Sequence, residues 1–199
     1  RWANRLLHLS RRNTPRRSRD NIAAHYDLGD SLFELFLDPT MSYSCAVFER
    51  PDEALEAAQR RKMRAILDLG DVRSDHHVLE IGCGWGGLAV EAARDRGCRV
   101  TGITLSGNQL ACARRRAQEA GLSDRLHFDL SDYRHVTGRF DRIVSVEMLE
   151  AVGHEHLGDF FAACERLLAP GGRIAVQVIT FPDQRYENYR RDCDWLQKY

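Results

Sequence analysis

The chain has 199 residues, 43% of them hydrophobic, with equal numbers of acidic and basic side chains. This is an ordinary balance for a globular protein, with length enough for one sizeable core. No apolar run nears the roughly 20 residues of a membrane span. The arginine-rich start is no secretory signal, and its opening Arg1 suggests a piece cut from a longer protein. The six cysteines include no C-x-x-C pair and match no zinc spacing, so the chain is read as reduced, cytoplasmic and without a metal site.

Residues 1–19 carry seven arginines and no acid, interleaved with Trp2, Leu6, Leu7 and Leu9. Such a segment suits either an exposed helix packed by its leucines or contact with an anionic lipid surface. An aromatic, turn-rich stretch follows over 21–48, with a short helix expected over 31–37 and stopped near Asp38-Pro39. Pro51-Asp52 opens a helix to about Leu69, with Leu55, Ala58, Met63, Ile66 and Leu67 as its apolar stripe. Strand and helix then alternate. Strands are expected over 77–81, 98–105, 125–130, 140–149 and 173–180, and helices over 88–96, 107–120 and 156–168. Ser106 is placed to cap the 107–120 helix and Gly121 to end it. The pattern implies an α/β fold with a doubly wound, mostly parallel sheet, whose ligand sits beyond the carboxyl ends of the strands, beside the first one.

The turn after that first strand, "IGCGWGGL" over 81–88, contains two glycine patterns. Gly82-x-Gly84-x-x-Gly87 fits a dinucleotide loop, and Gly82-x-Gly84-x-Gly86 fits an S-adenosylmethionine (SAM) loop. A dinucleotide site adds an acid about 20 residues later, at the end of the second strand. Here that strand ends in Thr104-Leu105-Ser106, and no Asp or Glu occurs between Asp95 and Glu119. The SAM reading gains Glu80, just before the glycines and placed for the methionine ammonium, and Asp132, after the third strand and placed for the adenine amino group. SAM is therefore the expected cofactor.

With these motifs in hand, the sequence resembles the cyclopropane-fatty-acyl-phospholipid synthase family, which includes the mycolic acid cyclopropane synthases. The resemblance spans roughly residues 20–180. It rests on "NIAAHYDLGDSLFELFLDPTMSYSCAVF" (21–48), "VLEIGCGWGGLA" (78–89), "VTGITLSGNQ" (100–109), "DYR" (132–134) and "FDRIVSVEMLEAVG" (140–153). It implies a Rossmann-like class I SAM methyltransferase fold, with the chain lacking the last strands of such a sheet. Residues 1–50 would form a basic, aromatic-rich segment capping the active site, and 51–199 the SAM-binding core. The implied cofactor contacts are Tyr43, Ser44, Glu80, Gly82, Cys83, Gly84, Gly86, Thr104, Leu105, Ser106, Gln109, Asp132 and Tyr133.

The implied reaction is transfer of a methyl or methylene group to the cis double bond of an unsaturated fatty acyl chain on a lipid. The implied partners are that lipid and a peripheral membrane surface, not nucleic acid, and a homodimer is allowed. A bicarbonate ion beside the substrate would serve as base, with Cys45, Glu150 and Ile179 at the matching positions. Two departures fall in this pocket. A family His is Ala151 here, and a His of the fifth strand is Gln177, which donates a hydrogen bond but takes up no proton. Phe33, Leu35, Phe36, Leu37 and Met41 could wall an acyl tunnel or simply fill the core. His25 suits a brace of the N-terminal segment, and Trp85 either packs under the cofactor or meets lipid. A SAM methyltransferase of another small molecule and a non-catalytic lipid-binding protein remain the alternatives.

Overall fold

The computed structural model describes residues 30–180 and 182–186. The arginine run of residues 1–19 and His25 lie outside these, so their expected roles are not addressed by the fold.

The described chain begins with helix α1 (Asp30–Glu34), followed by α2 (Leu55–Leu69). The alternating part is β1 (His77–Ile81), α3 (Gly87–Arg96), β2 (Arg99–Thr104), α4 (Gly107–Glu119), β3 (Leu126–Leu130) and β4 (Phe140–Val146). It continues with the one-turn α5 (Leu149–Val152), then α6 (Leu157–Leu167) and β5 (Leu168–Gln177). The strands form one sheet in the order β3-β2-β1-β4-β5, parallel at every pairing. The strand order reverses at β1, between β2 and β4, which is where such sheets bind ligands.

Side chains alternate between two cores with the two-residue period of a strand. Val78, Val100, Phe128 and Val144 face α2, α3 and α4 through Met63, Leu67, Leu88, Ala89 and Ala113. Leu79, Ile81, Ile103 and Ile143 face α6 through Phe160, Cys164 and Leu167. Helices cover both faces, which accounts for the near-continuous apolar runs of β1 and β4.

The helix expected over 31–37 stops at Glu34 and the last strand ends at Gln177, and three other element ends differ from the sequence pattern. The helix expected from Pro51 starts at Leu55, after a turn. The expected 140–149 strand stops at Val146, because Glu147 takes a left-handed backbone (φ 48°) that no strand accommodates. The last strand begins early, at Leu168, because Phe140 pairs with it before a register shift ahead of Arg142.

Residues 33–41 lie against the start of α3 and against α4, and the 38–42 turn is attached largely through main chain. Arg116 of α4 donates to the carbonyls of Thr40 and Pro39, at 3.0 and 2.7 Å. The Asp38 carboxylate accepts from the Thr40 and Ser42 amides, at 3.0 and 3.3 Å. A Cβ on Gly87 would stand 2.4 Å from the Thr40 carbonyl oxygen, so only glycine allows this approach.

Candidate active site

The glycine loop uses its three glycines differently. All have positive φ, at 82°, 51° and 84° for Gly82, Gly84 and Gly86. A Cβ on Gly82 would meet Met148 at 2.9 Å, and one on Gly86 would meet Ala113 at 2.9 Å. A Cβ on Gly84 would meet no protein atom within 4 Å, so that position borders open space. The loop is pinned to β2 by the Gly82 and Cys83 amides, which donate to the Ile103 carbonyl at 3.0 and 2.9 Å. Cys83 is buried, and burial first, then Glu80, pushes its thiol well up, so it fills space as an inert thiol. Trp85 is buried against Phe33, with ring centroids 4.9 Å apart, which makes it core rather than a lipid contact.

Glu80, one residue before the end of β1, is buried. Burial pushes its carboxyl up to about 8, with Lys62 and the Ala89 amide holding it back from rising further. Its Oε2 is buried and has no hydrogen-bond partner among the described residues. A buried carboxylate oxygen left unsatisfied is costly, and a ligand ammonium satisfies it in both charge and hydrogen bonding.

The end of β2 and the start of α4 carry a neutral network. Thr104 Oγ1 donates to Gln109 Oε1 at 2.7 Å and accepts from the Ser106 amide at 3.2 Å. Ser106 Oγ accepts from the Gln109 amide at 3.3 Å, the N-cap of α4. Thr104, Ser106 and Gln109 are buried and Leu105 is half-buried. At the end of β3, the Asp132 carboxylate is clamped by Arg134, with Nε donating at 2.8 Å and Nη2 at 2.6 Å. Burial opposes its charge, but the bonds from Arg134 outweigh this and hold its carboxyl below the usual range. Tyr133 points into the second core, edge-on to Phe160 at 5.4 Å, so its side chain is packing.

The 43–45 segment reaches the same region from the other side. Tyr43 is half-exposed and stacks edge-on with Phe33 at 5.3 Å. Ser44 Oγ accepts from Lys62 Nζ, and the Ser44 carbonyl accepts from Gln59 Nε2 at 2.8 Å. The Cys45 amide donates to Glu147 Oε1 at 2.9 Å. Gln177 Nε2 donates to the same Glu147 oxygen at 2.9 Å and to the Cys45 sulfur at 3.1 Å. The hydrogen bond to Glu147, then burial, pushes the Cys45 thiol up, so it stays protonated.

Cys45 and Gln177 are therefore brought together around a residue that the sequence reading does not name, Glu147. The expected 140–149 strand would set Glu150 at its carboxyl end. Glu150 instead lies exposed on α5, and its Oε1 accepts from the Ile179 amide at 2.5 Å. The strand-end acid is Glu147. Gln59 and Lys62 were also missed. Both are buried on α2, and Lys62 sits at four-residue spacing between Ala58 and Ile66, inside the apolar stripe, where a charge is anomalous. Of the proposed acyl wall, Phe33 and Met41 are core, whereas Leu35 and Phe36 are exposed, as are Tyr43, Val47 and Phe48.

An all-parallel 3-2-1-4-5 sheet, a glycine loop after β1 and a buried acid before it define the Rossmann-like fold of class I SAM methyltransferases. The mycolic acid cyclopropane synthetase family model matches residues 13–199. The chain is 46% identical to the tuberculostearic acid methyltransferase UfaA1 of Mycobacterium tuberculosis, over all of this chain and 49% of that protein. It is 42% identical to the cyclopropane-fatty-acyl-phospholipid synthase of Escherichia coli, over 78% of this chain and 39% of that one. The solved cyclopropane synthase MmaA2 of M. tuberculosis superposes with a TM-score of 0.81 at 36% identity, covering 90% of this chain and 64% of that one. The mycolic acid cyclopropane synthase CmaA1, solved with SAH and CTAB, gives 0.73 at 37%, covering 76% and 53%. The chain belongs to the mycolic acid cyclopropane synthetase family. It spans about half the length of the curated relatives it matches.

Proposed function

We propose that the protein transfers a methyl or methylene group from SAM to the cis double bond of an unsaturated acyl chain, with phospholipid as the carrier. The observation that carries this is the pairing of an open glycine cradle at Gly84 with the orphaned carboxylate oxygen of Glu80, beside a segment with an exposed apolar side. The cradle and the acid fit SAM: Glu80 would hold the ammonium and the Thr104–Gln109 network the ribose. Asp132 keeps lone pairs for the adenine amino group beyond those used by Arg134. When bound, SAM supplies an electrophilic methyl group.

The chain's own task is to hold a weak carbon nucleophile in line with that methyl group and to keep water away from the cation that results. Residues 30–50 act as the cap, with Leu35, Phe36, Val47 and Phe48 offering an apolar surface to the acyl chain. Among the described residues no helix is long and apolar enough to cross a membrane. The reading is therefore of peripheral contact with lipid at the cytoplasmic face, aided by the arginines of residues 1–19.

The test is incubation of the intact protein with SAM and phospholipid bearing cis-monounsaturated chains, followed by proton NMR of the recovered lipid. Upfield cyclopropyl protons identify loss of the final proton from the transferred methyl group. Vinylidene protons identify loss that leaves a methylene branch. Unchanged lipid from protein that binds SAM would sink the acyl-chain reading and favour another small-molecule acceptor.

A further inference from the structure

We infer that Glu147 supplies from the chain itself the carboxylate that the family resemblance assigns to a bound bicarbonate, and acts as the base that takes the final proton. The inference rests on the acyl-methylation reading above.

The groups that would hold the bicarbonate are already serving carboxylates of this chain. The Cys45 amide and Gln177 Nε2 each donate to Glu147 Oε1 at 2.9 Å. The Ile179 amide donates to Glu150. A second anion at this point would face the Glu147 charge and compete for donors that are taken. The residues present therefore fit an internal carboxylate better than a captured one.

Three further features support the assignment. Glu147 holds a left-handed φ of 48°, rare for a residue other than glycine or asparagine. Strain of this kind persists where the surroundings impose it, and it gathers at working sites. Here the Glu147 amide donates to the Gln177 carbonyl at 2.8 Å, so both main chain and side chain are fixed to β5. Next, Glu147 directly precedes Met148, the residue packed on Gly82, and Lys62 lies within electrostatic reach of both Glu147 and Glu80. The base is thus at the switch point, beside the cofactor loop. Last, the donors to the Glu147 carboxylate among the described residues are the Cys45 amide, Gln177 Nε2 and the Cys45 thiol, fewer than the lone pairs of its two oxygens, so it keeps capacity to accept a proton.

The electron count closes. Methyl transfer breaks the methyl–sulfur bond, whose pair stays on sulfur, while the alkene π pair forms the new carbon–carbon bond and leaves a cationic carbon. Glu147 takes a proton from the transferred methyl group or from a carbon next to the cation. The freed C–H pair closes a ring in the first case and forms a double bond in the second. The resulting carboxylic acid gives its proton to water. Gln177 orients Glu147 and takes no part in the proton transfer, which is consistent with a glutamine at this position.

The experiment titrates labelled bicarbonate into the SAH-saturated intact protein, followed by carbon NMR, and measures turnover in CO2-depleted buffer. Wild type should bind no bicarbonate, and its turnover should be indifferent to added bicarbonate. Glu147→Gln should keep its SAH affinity and lose turnover by about 10²–10⁴-fold, the usual weight of a general base. Glu147→Ala should gain bicarbonate binding and recover part of its turnover when the ion is added. Bicarbonate binding by wild type, or failure of Glu147→Ala to bind it while still binding SAH, would overturn the inference whatever the turnover. Absence of lipid modification by wild type alongside the expected binding pattern would count against the acyl-methylation reading and leave the carboxylate placement standing.

Discussion

Lys62, buried on α2, donates its ammonium hydrogen bond to the Ser44 hydroxyl. This ties the core to a segment expected to touch the cofactor. Burial lowers the Lys62 pKa, while Glu147, Cys45, Asp38 and Glu80 pull it back up. A lysine kept in such a place is a positioning group, and Lys62→Met retains its bulk without the charge. Amide hydrogen exchange over residues 42–45 should accelerate in this variant. Unchanged exchange would mean that Gln59, which donates to the Ser42 and Ser44 carbonyls, together with Asp38 and Glu147, which accept from the Ser42 and Cys45 amides, holds the segment without Lys62.

Glu80 gives a pH prediction with a definite sign. Between its ordinary 4.5 and the folded value of about 8, the unfolded chain has released a proton that the folded protein retains. The folded state then binds more protons, so ligand-free stability falls as pH rises through that window. Glu80→Gln should flatten this part of a urea-unfolding profile, a difference on the order of a few kcal/mol at the top of the window. A profile of the same slope in the variant would show that Glu80 is not the buried acid responsible.

Much of the fold was legible in the sequence because its periods are strict. The apolar runs of β1 and β4, the glycine loop and the Ser106 cap are local signals, and each stands where its residues place it. The strand-end carboxylate was not legible. Glu147 and Glu150 are three residues apart in one acidic-apolar run, and only the left-handed turn at Glu147 decides which one meets Cys45. That turn is imposed by pairing with Gln177, 30 residues away, which no local pattern encodes. Lys62 follows Arg60 and Arg61, both partly exposed, so the run of cations does not itself mark which member is buried; only its place in the apolar stripe does.

Gly84 and Gly87 separate ligand from scaffold. Gly84→Ala adds a methyl group to open space, at a left-handed strain of about 1–2 kcal/mol. It should reduce SAM affinity tenfold or more, about 1.4 kcal/mol, in calorimetry. Gly87→Ala drives a Cβ into the Thr40 carbonyl, so it should displace the 38–45 segment and show its main effect on protection of that segment from proteolysis. Equal SAM affinity in Gly84→Ala and wild type would refute the cradle.

Glu150 holds the chain after β5 through the Ile179 amide. Glu150→Ala should therefore speed exchange at Ile179 and leave SAH affinity within about twofold, since no cofactor group is removed. Loss of SAH binding in this variant would place Glu150 in the cofactor site.

The attachment of the 38–42 turn through carbonyl and amide groups has a consequence for how this scaffold can diversify. Arg116 and Gly87 meet main-chain carbonyls, which every amino acid possesses, and Asp38 grips amide hydrogens, which all but proline possess. Leu35, Phe36, Tyr43, Val47 and Phe48 stand outside that grip. Mutation can rewrite the apolar surface while the turn stays docked, so acceptor preference can drift without a matching cost in foldability.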